Sequence, residues 1–396
     1  MDLDDALSSE LQQIEATGLL RHLSDLESPQ GVRIEVDGRS YLNFSSNDYL
    51  GLSNHPALVE AGKEALDRFG AGAGASRLIC GSLPPHRELE TAFADFKQTE
   101  AAALFSTGYS AAVGCIDALL GKTDVIILDK LVHASIIDAA KLSGAKLRVF
   151  RHNDLNDLES KLKWASDKYP RGRKLIVTES VFSMDGDLAP LLNIADLKDQ
   201  YGAWLMVDEA HATGLFGERR SGLCEEFGLT GRVEIQMATL GKALGSSGGV
   251  ICGSRNLIDL LINRARSFIY STAPPPAEAA CTLAALDIVR SAEGERKRQH
   301  LWAMVENLKT MLLGTGLPPG LVRAPIIPAI LGDESAAVAK SEELKNRGIF
   351  VPAIRFPTVA RGSARLRFTI TADHTLDDLA ELQNALTADA NVPQDA

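Results

Sequence analysis

A chain of 396 residues, 45% of them hydrophobic, can bury a large core and form two or three domains. Its 41 basic and 52 acidic residues leave a net charge of -11, the wrong sign for wrapping nucleic acid, although a pocket for a small anion can still be locally positive. Five cysteines without a C-x-x-C pair suggest neither a disulfide framework nor a metal site, and neither the acidic start "MDLDDALSSE" nor any apolar run resembles a signal peptide or a membrane span of ~18 residues, so a cytoplasmic protein is expected.

The first residues, 1–45, read as an arm with a helical pattern in "LSSELQQIEATGLLRHL". A larger domain is expected over 46–280. It opens with the helix-like "HPALVEAGKEALDRF" and the glycine-rich "GAGAGA"; a dinucleotide loop would follow a strand, and this one does not. From about residue 100, short apolar runs alternate with amphipathic stretches. "AAALFS", "DVIILD", "KLRVF", "KLIVTE", "AWLMVD" and "EIQMAT" predict buried strands, and "GYSAAVGCIDALL" and "DLNDLESKLKWASDKY" predict helices between the earlier ones. Such alternation implies crossover connections and a mostly parallel sheet, which binds ligands at the carboxyl ends of its strands.

Candidate residues follow those strand ends in order. Gly108 and Tyr109 lie between "AAALFS" and a helix, where backbone N–H groups and the helix dipole favour a phosphate. His133 follows "DVIILD", where an imidazole could stack on a ring or simply complete a loop. Glu179, Ser183 and Asp185 follow "KLIVTE", in a stretch that also suits a turn before a helix at Pro190. Asp208 ends "AWLMVD", with His211 three residues on; this aspartate reads either as a cap or as an anionic partner for a ligand. In the latter role, an ion pair at ~4 Å and an effective dielectric of ~20 gains about 4 kcal/mol before desolvation.

"TLGKALGSSGGVICGS" then sets a single lysine, Lys242, among small and apolar residues after Thr239. A phosphate-binding P-loop is excluded, because Gln236 stands where its first glycine belongs and Ala243 where its hydroxyl belongs. What remains is a nucleophile. A lysine near other cations or in an apolar site has a lowered pKa and can form a Schiff base at neutral pH. If the partner is pyridoxal phosphate, the protein must also supply a carboxylate at the ring nitrogen, a flat group over the ring and N–H groups for the phosphate. Gly108, His133, Ser183, Asp208 and Thr239 with Lys242 fall at one end of one sheet and meet those needs together.

After "STAPPPAEAA" the alternation stops, and a smaller α+β domain is expected over 281–390. It holds a helix over 294–313, a strand in "APIIPAIL", a helix near 335–347, a strand in "ARLRFTIT" and a last helix from Thr375. A loose tail over 391–396 follows.

The set "STGYSAAVG", "DKLVHASI", "TESVFSMDGD", "VDEAHATG" and "TLGKALGSSGG", in this order, resembles the α-oxoamine synthases, and the likeness runs from "NFSSNDYLGLSNHP" to "RLRFTITADHT". The resemblance implies a pyridoxal 5'-phosphate enzyme of the aspartate aminotransferase fold (fold type I): α/β, with a mostly parallel central sheet and a smaller C-terminal domain. It implies Lys242 as the Schiff-base and proton-moving lysine, Asp208 as partner of the pyridine nitrogen, and His211 at the ring hydroxyl. His133 is the stacking histidine; Ser183 contacts the cofactor, and Thr239, Gly108 and Tyr109 hold the phosphate. Arg355 would hold the amino acid's carboxylate, and Asn47 and Glu179 are further site residues. By the same resemblance the protein is a homodimer whose Ser271 and Thr272 reach the neighbouring subunit's phosphate.

The shared chemistry is a decarboxylative condensation of an amino acid with an acyl thioester. The tail "IRFPTVARGSARLR" is most similar to members that join L-alanine to a pimeloyl thioester, carried by coenzyme A or an acyl carrier protein. There Thr358 matches a substrate contact and Arg21 is a candidate for the acyl donor's far end, while Phe356 departs from the usual proline. Sibling reactions, glycine with acetyl-CoA or serine with a long-chain acyl donor, and a non-catalytic scaffold remain the alternatives.

Overall fold

The computed structural model describes residues 2–314, 317 and 322–387, which fall into two compact units. One comprises residues 47–183 and 187–299. The other comprises the described residues within 1–46, 184–186 and 300–387.

The larger unit is built on a seven-stranded sheet. Its order is Ala101–Phe105, Gly249–Gly253, Ile235–Thr239, Trp204–Asp208, Lys174–Glu179, Val125–Asp129 and Lys146–Phe150. All six strands read from the sequence are present. The seventh, Gly249–Gly253, runs antiparallel to both neighbours, Ala101–Phe105 at the edge and Ile235–Thr239, while the five strands from Ile235–Thr239 to Lys146–Phe150 pair in parallel. Its short "VIC" core between glycines gives too little pattern to separate it from the loop before it. Val125–Asp129 is buried at every position, as expected of a strand covered on both faces.

The covering layer explains the burial. Ala111, Ala112, Cys115 and Ile116 of helix Gly108–Leu119 and Ile136, Ala139 and Ala140 of helix Ala134–Ser143 pack in one cluster with Ile126, Leu128, Val177 and Met206 of the sheet. Small alanines let the helices approach closely. Each fully buried Leu, Ile or Val contributes about 1.5–3 kcal/mol. Pro276–Arg290 packs on Pro56–Phe69 and Pro84–Phe96, and residues 281–299 cluster with this larger unit.

The smaller unit contains two three-stranded sheets. Arg39–Asn43 pairs with Arg33–Val36 and Ile349–Phe350; Ala364–Thr369 pairs with Ile326–Gly332 and Ala353–Ile354. Helices Glu334–Asn346 and Leu376–Thr387 match the sequence pattern. The first helix, Leu3–Ala16, is shorter than that pattern suggests. Thr17 turns its hydroxyl back to the Gln13 and Ile14 carbonyls, and Gly18 takes a positive φ of 68, so the Leu19 N–H closes on Ile14 and the helix stops. The tail over 391–396 lies outside the described residues.

Candidate active site

The strand ends assemble the site as the topology requires. Glu179 and Asp208 end neighbouring strands and sit directly opposite each other in register. Both are buried, at 2% and 5% exposure. Burial raises the proton affinity of both carboxyls; for Glu179 the charge of Asp208 adds to it, and the Lys242 ammonium pulls both the other way. Asp208 also accepts the Ala210 N–H through Oδ1 at 2.9 Å. A carboxylate held this way is poised to pair with a cation placed beside it.

His133 caps helix Ala134–Ser143. Its Nδ1 accepts from the Ser135 N–H at 3.2 Å and meets the Ser135 hydroxyl at 2.8 Å, which leaves the proton of the neutral ring on Nε2. Partial desolvation lowers its pKa; Asp208 opposes this and Lys242 reinforces it. His133 is nonetheless an exposed residue, suited to lying against a flat ligand. Glu179 faces the backbone of both His133 and Ser183, whose N–H groups favour its ionised form.

Lys242 lies in the loop between strands Ile235–Thr239 and Gly249–Gly253. Backbone bonds from Gly245 to its carbonyl, from Ser246 to Leu240 and from Leu240 to Gly248 fold that loop tightly, and Ser246 Oγ anchors it on the Glu278 carbonyl at 3.0 Å.

At the start of helix Gly108–Leu119, Thr107 and Ser110 form a reciprocal capping box. It satisfies the Ser110 N–H and leaves those of Gly108 and Tyr109, the first two of the helix, without a partner among the described residues. Gly108 is required because a Cβ there would run into Cγ2 of Thr239. Across that contact the buried Thr239 Oγ1 has no hydrogen-bond partner. An orphaned hydroxyl next to two free N–H groups at a helix N-terminus fits an anionic oxygen cluster. Tyr109 takes part through its backbone; its side chain runs outward, with the hydroxyl on Asp138 at 2.6 Å.

His211, also 5% exposed, is held at Nδ1 by the Tyr49 hydroxyl at 2.6 Å, and that hydroxyl reaches Asn47 Oδ1 at 3.3 Å. Tyr49 links two residues that the sequence singled out while itself passing unnoticed. The only hint was its place two residues after Asn47. Ser271 and Thr272 form a different contact: Thr272 bridges Ser76, and the Ala273 N–H bonds the Ala75 carbonyl. The fully buried His86 donates to the Pro274 carbonyl at 2.8 Å and so fastens that segment.

Arg21, Arg355 and Thr358 lie in the smaller unit. Arg355 Nη2 donates to the Leu20 carbonyl at 2.8 Å and Arg21 Nη2 to the Phe356 carbonyl at 3.2 Å, so the two segments latch onto each other. Arg361 stacks on the Phe356 ring at 4.4 Å, and Thr358 is exposed.

A buried charge pair lies next to the site in sequence. Lys97 and Glu209 are both fully buried, with Nζ–Oε2 at 2.7 Å, and Glu209 follows Asp208 directly. Sequence reading had no access to it, since "DFKQTE" looks like an ordinary helix end.

The site as a whole is polarised. A carboxylate stands at one end, an unsatisfied anion cradle at another, and a flat imidazole and an amine belong to the same cluster. These residues fit an aromatic phosphate ester that has a basic ring nitrogen and an amine-reactive group. Among the described residues no cluster of His, Cys, Asp and Glu could hold a metal ion.

Comparison with known proteins agrees with this picture. The pattern of the aminotransferase class I and II family matches residues 39–386. An 8-amino-7-oxononanoate synthase of Thermoanaerobacter pseudethanolicus is 44% identical over 375 residues, covering 95% of this chain and 94% of that protein. A serine palmitoyltransferase structure from S. paucimobilis, with a bound adduct of PLP and myriocin, superposes with a TM-score of 0.91 at 30% identity, covering 98% of each chain. The structure of an 8-amino-7-oxononanoate synthase from Francisella tularensis gives a TM-score of 0.74 at 29% identity, covering 88% of this chain and 98% of that one.

Proposed function

This chain belongs to the aminotransferase class I and II family, and we propose that within it the protein condenses L-alanine with a pimeloyl thioester on pyridoxal phosphate, releasing carbon dioxide and free thiol and forming 8-amino-7-oxononanoate for biotin biosynthesis. The choice of substrates rests on the near-full-length identity to the named synthases. The geometric observation that carries the chemistry is the unsatisfied Thr239 Oγ1 beside the free Gly108 and Tyr109 N–H groups, in the same strand-end cluster as Asp208 and Lys242.

Pyridoxal phosphate, when bound, supplies a carbonyl that condenses with amines and a ring that accepts electron density. The chain's own residues do the rest. Thr239 Oγ1 with the Gly108 and Tyr109 N–H groups would hold the phosphate, and Asp208 would hold a proton on the ring nitrogen. Its buried carboxylate, costly to ionise alone, gains a cationic partner there. His211, steadied by Tyr49, serves the ring hydroxyl, and Ser183 makes a further cofactor contact. His133 would stack on the ring, and its Nε2–H could donate to a substrate oxygen. Lys242 Nζ anchors the cofactor and moves the proton at the alanine Cα.

Arg355 is the candidate for the alanine carboxylate, where a guanidinium fork gives two parallel hydrogen bonds. Thr358, Arg21 and Asn47 are candidate contacts for the acyl donor and the amino acid.

A cytoplasmic homodimer completes the reading. Leu78, Ile79 and Tyr270 are 50%, 79% and 72% exposed around the Ser76–Thr272 bridge, and Leu3, Leu7, Leu11 and Ile14 form an exposed apolar stripe along the first helix. Surfaces of this kind favour burial against a second copy. Among the described residues no helix is long and apolar enough to cross a membrane.

The test is thiol release by cofactor-loaded protein given, in parallel, L-alanine with pimeloyl-CoA or pimeloyl-acyl carrier protein, glycine with acetyl-CoA, and L-serine with palmitoyl-CoA. Turnover with alanine supports the proposal. Preference for glycine with acetyl-CoA or serine with palmitoyl-CoA points to a sibling synthase, and no turnover with any pair to a scaffold.

A further inference from the structure

His152 stands outside the residues assigned above, yet it joins two of the segments that carry them. It lies half-buried just beyond strand Lys146–Phe150, with Nδ1 at 2.9 Å from Asp129 Oδ1 and Nε2 at 2.8 Å from Asp187 Oδ2. Asp129 is 1% exposed and already accepts the Leu131 N–H at 2.8 Å and the Asn153 N–H at 2.9 Å. An ionised carboxylate accepts only, so both ring nitrogens must donate and the ring must be an imidazolium.

That cation is the counter-charge of a buried anion. Without it the Asp129 carboxylate would stand desolvated and unpaired. The hydrogen bonds and charges of Asp129 and Asp187 outweigh the desolvation of the ring and raise its pKa to about 10. The nearest charges on its own loop are otherwise engaged: Arg151 pairs with Asp154 at 2.8 Å and lies near Asp157 at 3.7 Å.

Each carboxylate belongs to a functional segment. Asp129 ends its strand and, through the Leu131 N–H, starts the short loop that delivers His133. Asp187 lies on the return of a small hairpin, where its carbonyl accepts the Phe182 N–H at 3.0 Å and Val181 bridges Leu188; Ser183 is on the outgoing side. Asn153, at a positive φ of 55, adds amide bonds to Asp187 Oδ2 at 3.0 Å and to the Leu188 carbonyl at 3.1 Å. The His152 ring also sits edge-on to Phe182, at 4.4 Å between centroids.

We propose that His152 is a charged clamp between the loop that carries His133 and the hairpin that carries Ser183, and thereby a positioning residue for the cofactor site. The inference rests on the cofactor reading of that site. The clamp fixes how far apart the two segments stand, through the carboxylates of Asp129 and Asp187 on either side of one ring. A neutral side chain of similar size would fill the space without holding both carboxylates.

Three variants test it: His152→Gln removes the charge, His152→Arg keeps a cation able to meet two carboxylates, and Asp187→Asn removes one partner. The readouts are pyridoxal-phosphate affinity by fluorescence quenching, thermal unfolding, and the ring ¹⁵N shifts of selectively labelled His152 at pH 8.5. The clamp predicts a doubly protonated ring in the wild type and largely neutral in Asp187→Asn. It also predicts affinity at least ~10-fold weaker in His152→Gln, the worth of about 1.4 kcal/mol, and recovered in large part by His152→Arg. Equal affinity in wild type and His152→Gln, a neutral wild-type ring, or an equal loss in both His152 variants would overturn it. Should His152→Gln fail to fold, the milder Asp187→Asn decides by ring shift and affinity together, since Asp187 is partly solvent-exposed. If the wild type itself binds no pyridoxal phosphate, the cofactor reading fails, and the ring shifts still decide whether the charged clamp exists.

Discussion

Replacing Lys97 by methionine should destabilise the larger unit more than any single change at its surface. Lys97 Nζ donates to Glu209 Oε2 at 2.7 Å, to Thr213 Oγ1 at 3.0 Å and to the Ser221 carbonyl, and neither charged side chain is exposed. Methionine fills nearly the same volume but leaves the Glu209 carboxylate buried without its cation, with the Cys224 N–H, at 2.9 Å, still donating to it. Breaking a buried pair from one side costs about 3–5 kcal/mol, most of it from the uncompensated charge. Neutralising the partner as well should relieve that cost. Lys97→Met with Glu209→Gln keeps an acceptor for the Cys224 N–H and should lie roughly 2 kcal/mol above the sum of the single variants. Equilibrium urea unfolding of all four proteins, followed by tryptophan fluorescence, measures the cycle. A loss below about 1 kcal/mol for Lys97→Met, or singles that add without coupling, would refute the reasoning.

Thr239→Val is nearly isosteric and removes a hydroxyl that bonds nothing else, so it should leave thermal stability unchanged and weaken pyridoxal-phosphate binding by ~10-fold or more in a quenching titration, as expected for losing a hydrogen bond worth about 1.5–3 kcal/mol to a charged group. Gly108→Ala sets a methyl against Thr239 Cγ2 and should cost about 1–3 kcal/mol of overpacking as well as affinity, both measurable in the same titration and a urea melt. Asp208→Asn should lower kcat by ~100-fold or more in the thiol-release assay, because a neutral amide no longer stabilises charge at the ring nitrogen. His374 is fully buried, accepts the Thr371 N–H at 3.0 Å and has its pKa lowered to about 4 by burial. Its folded pKa is below the unfolded value of 6.5, so its contribution is complete above pH 6.5 and is lost as pH falls from 6.5 to 4, about 3 kcal/mol in all. Protection factors of amides in strand Ala364–Thr369, corrected for the intrinsic pH dependence of exchange, should fall across that window, and much less so in His374→Asn.

The fold was legible because parallel strands covered on both faces are written as uninterrupted apolar runs. "DVIILD" and "KLIVTE" leave no polar alternation to misread, and the residue after each run falls at the ligand-binding end of the sheet. The antiparallel Gly249–Gly253 strand was hidden by the glycines that also shape the Lys242 loop. Candidate site residues that follow strands were visible for the same geometric reason. Those that act across the fold were not. Tyr49 meets His211 over 162 residues of sequence, and Lys97 meets Glu209 over 112, so no local spacing signals either contact. His152 stands in "RHND", a pattern that suits any turn; only the two carboxylates brought to its ring distinguish it.

The most direct test of the account is where pyridoxal phosphate attaches. Protein incubated with the cofactor, reduced with borohydride and digested should carry one pyridoxyl group on the peptide containing Lys242, with loss of the visible absorption band. Lys242→Ala should give neither the band nor the label. A label on another lysine, or a protein that stays colourless and unlabelled with excess cofactor, would contradict the account at its centre.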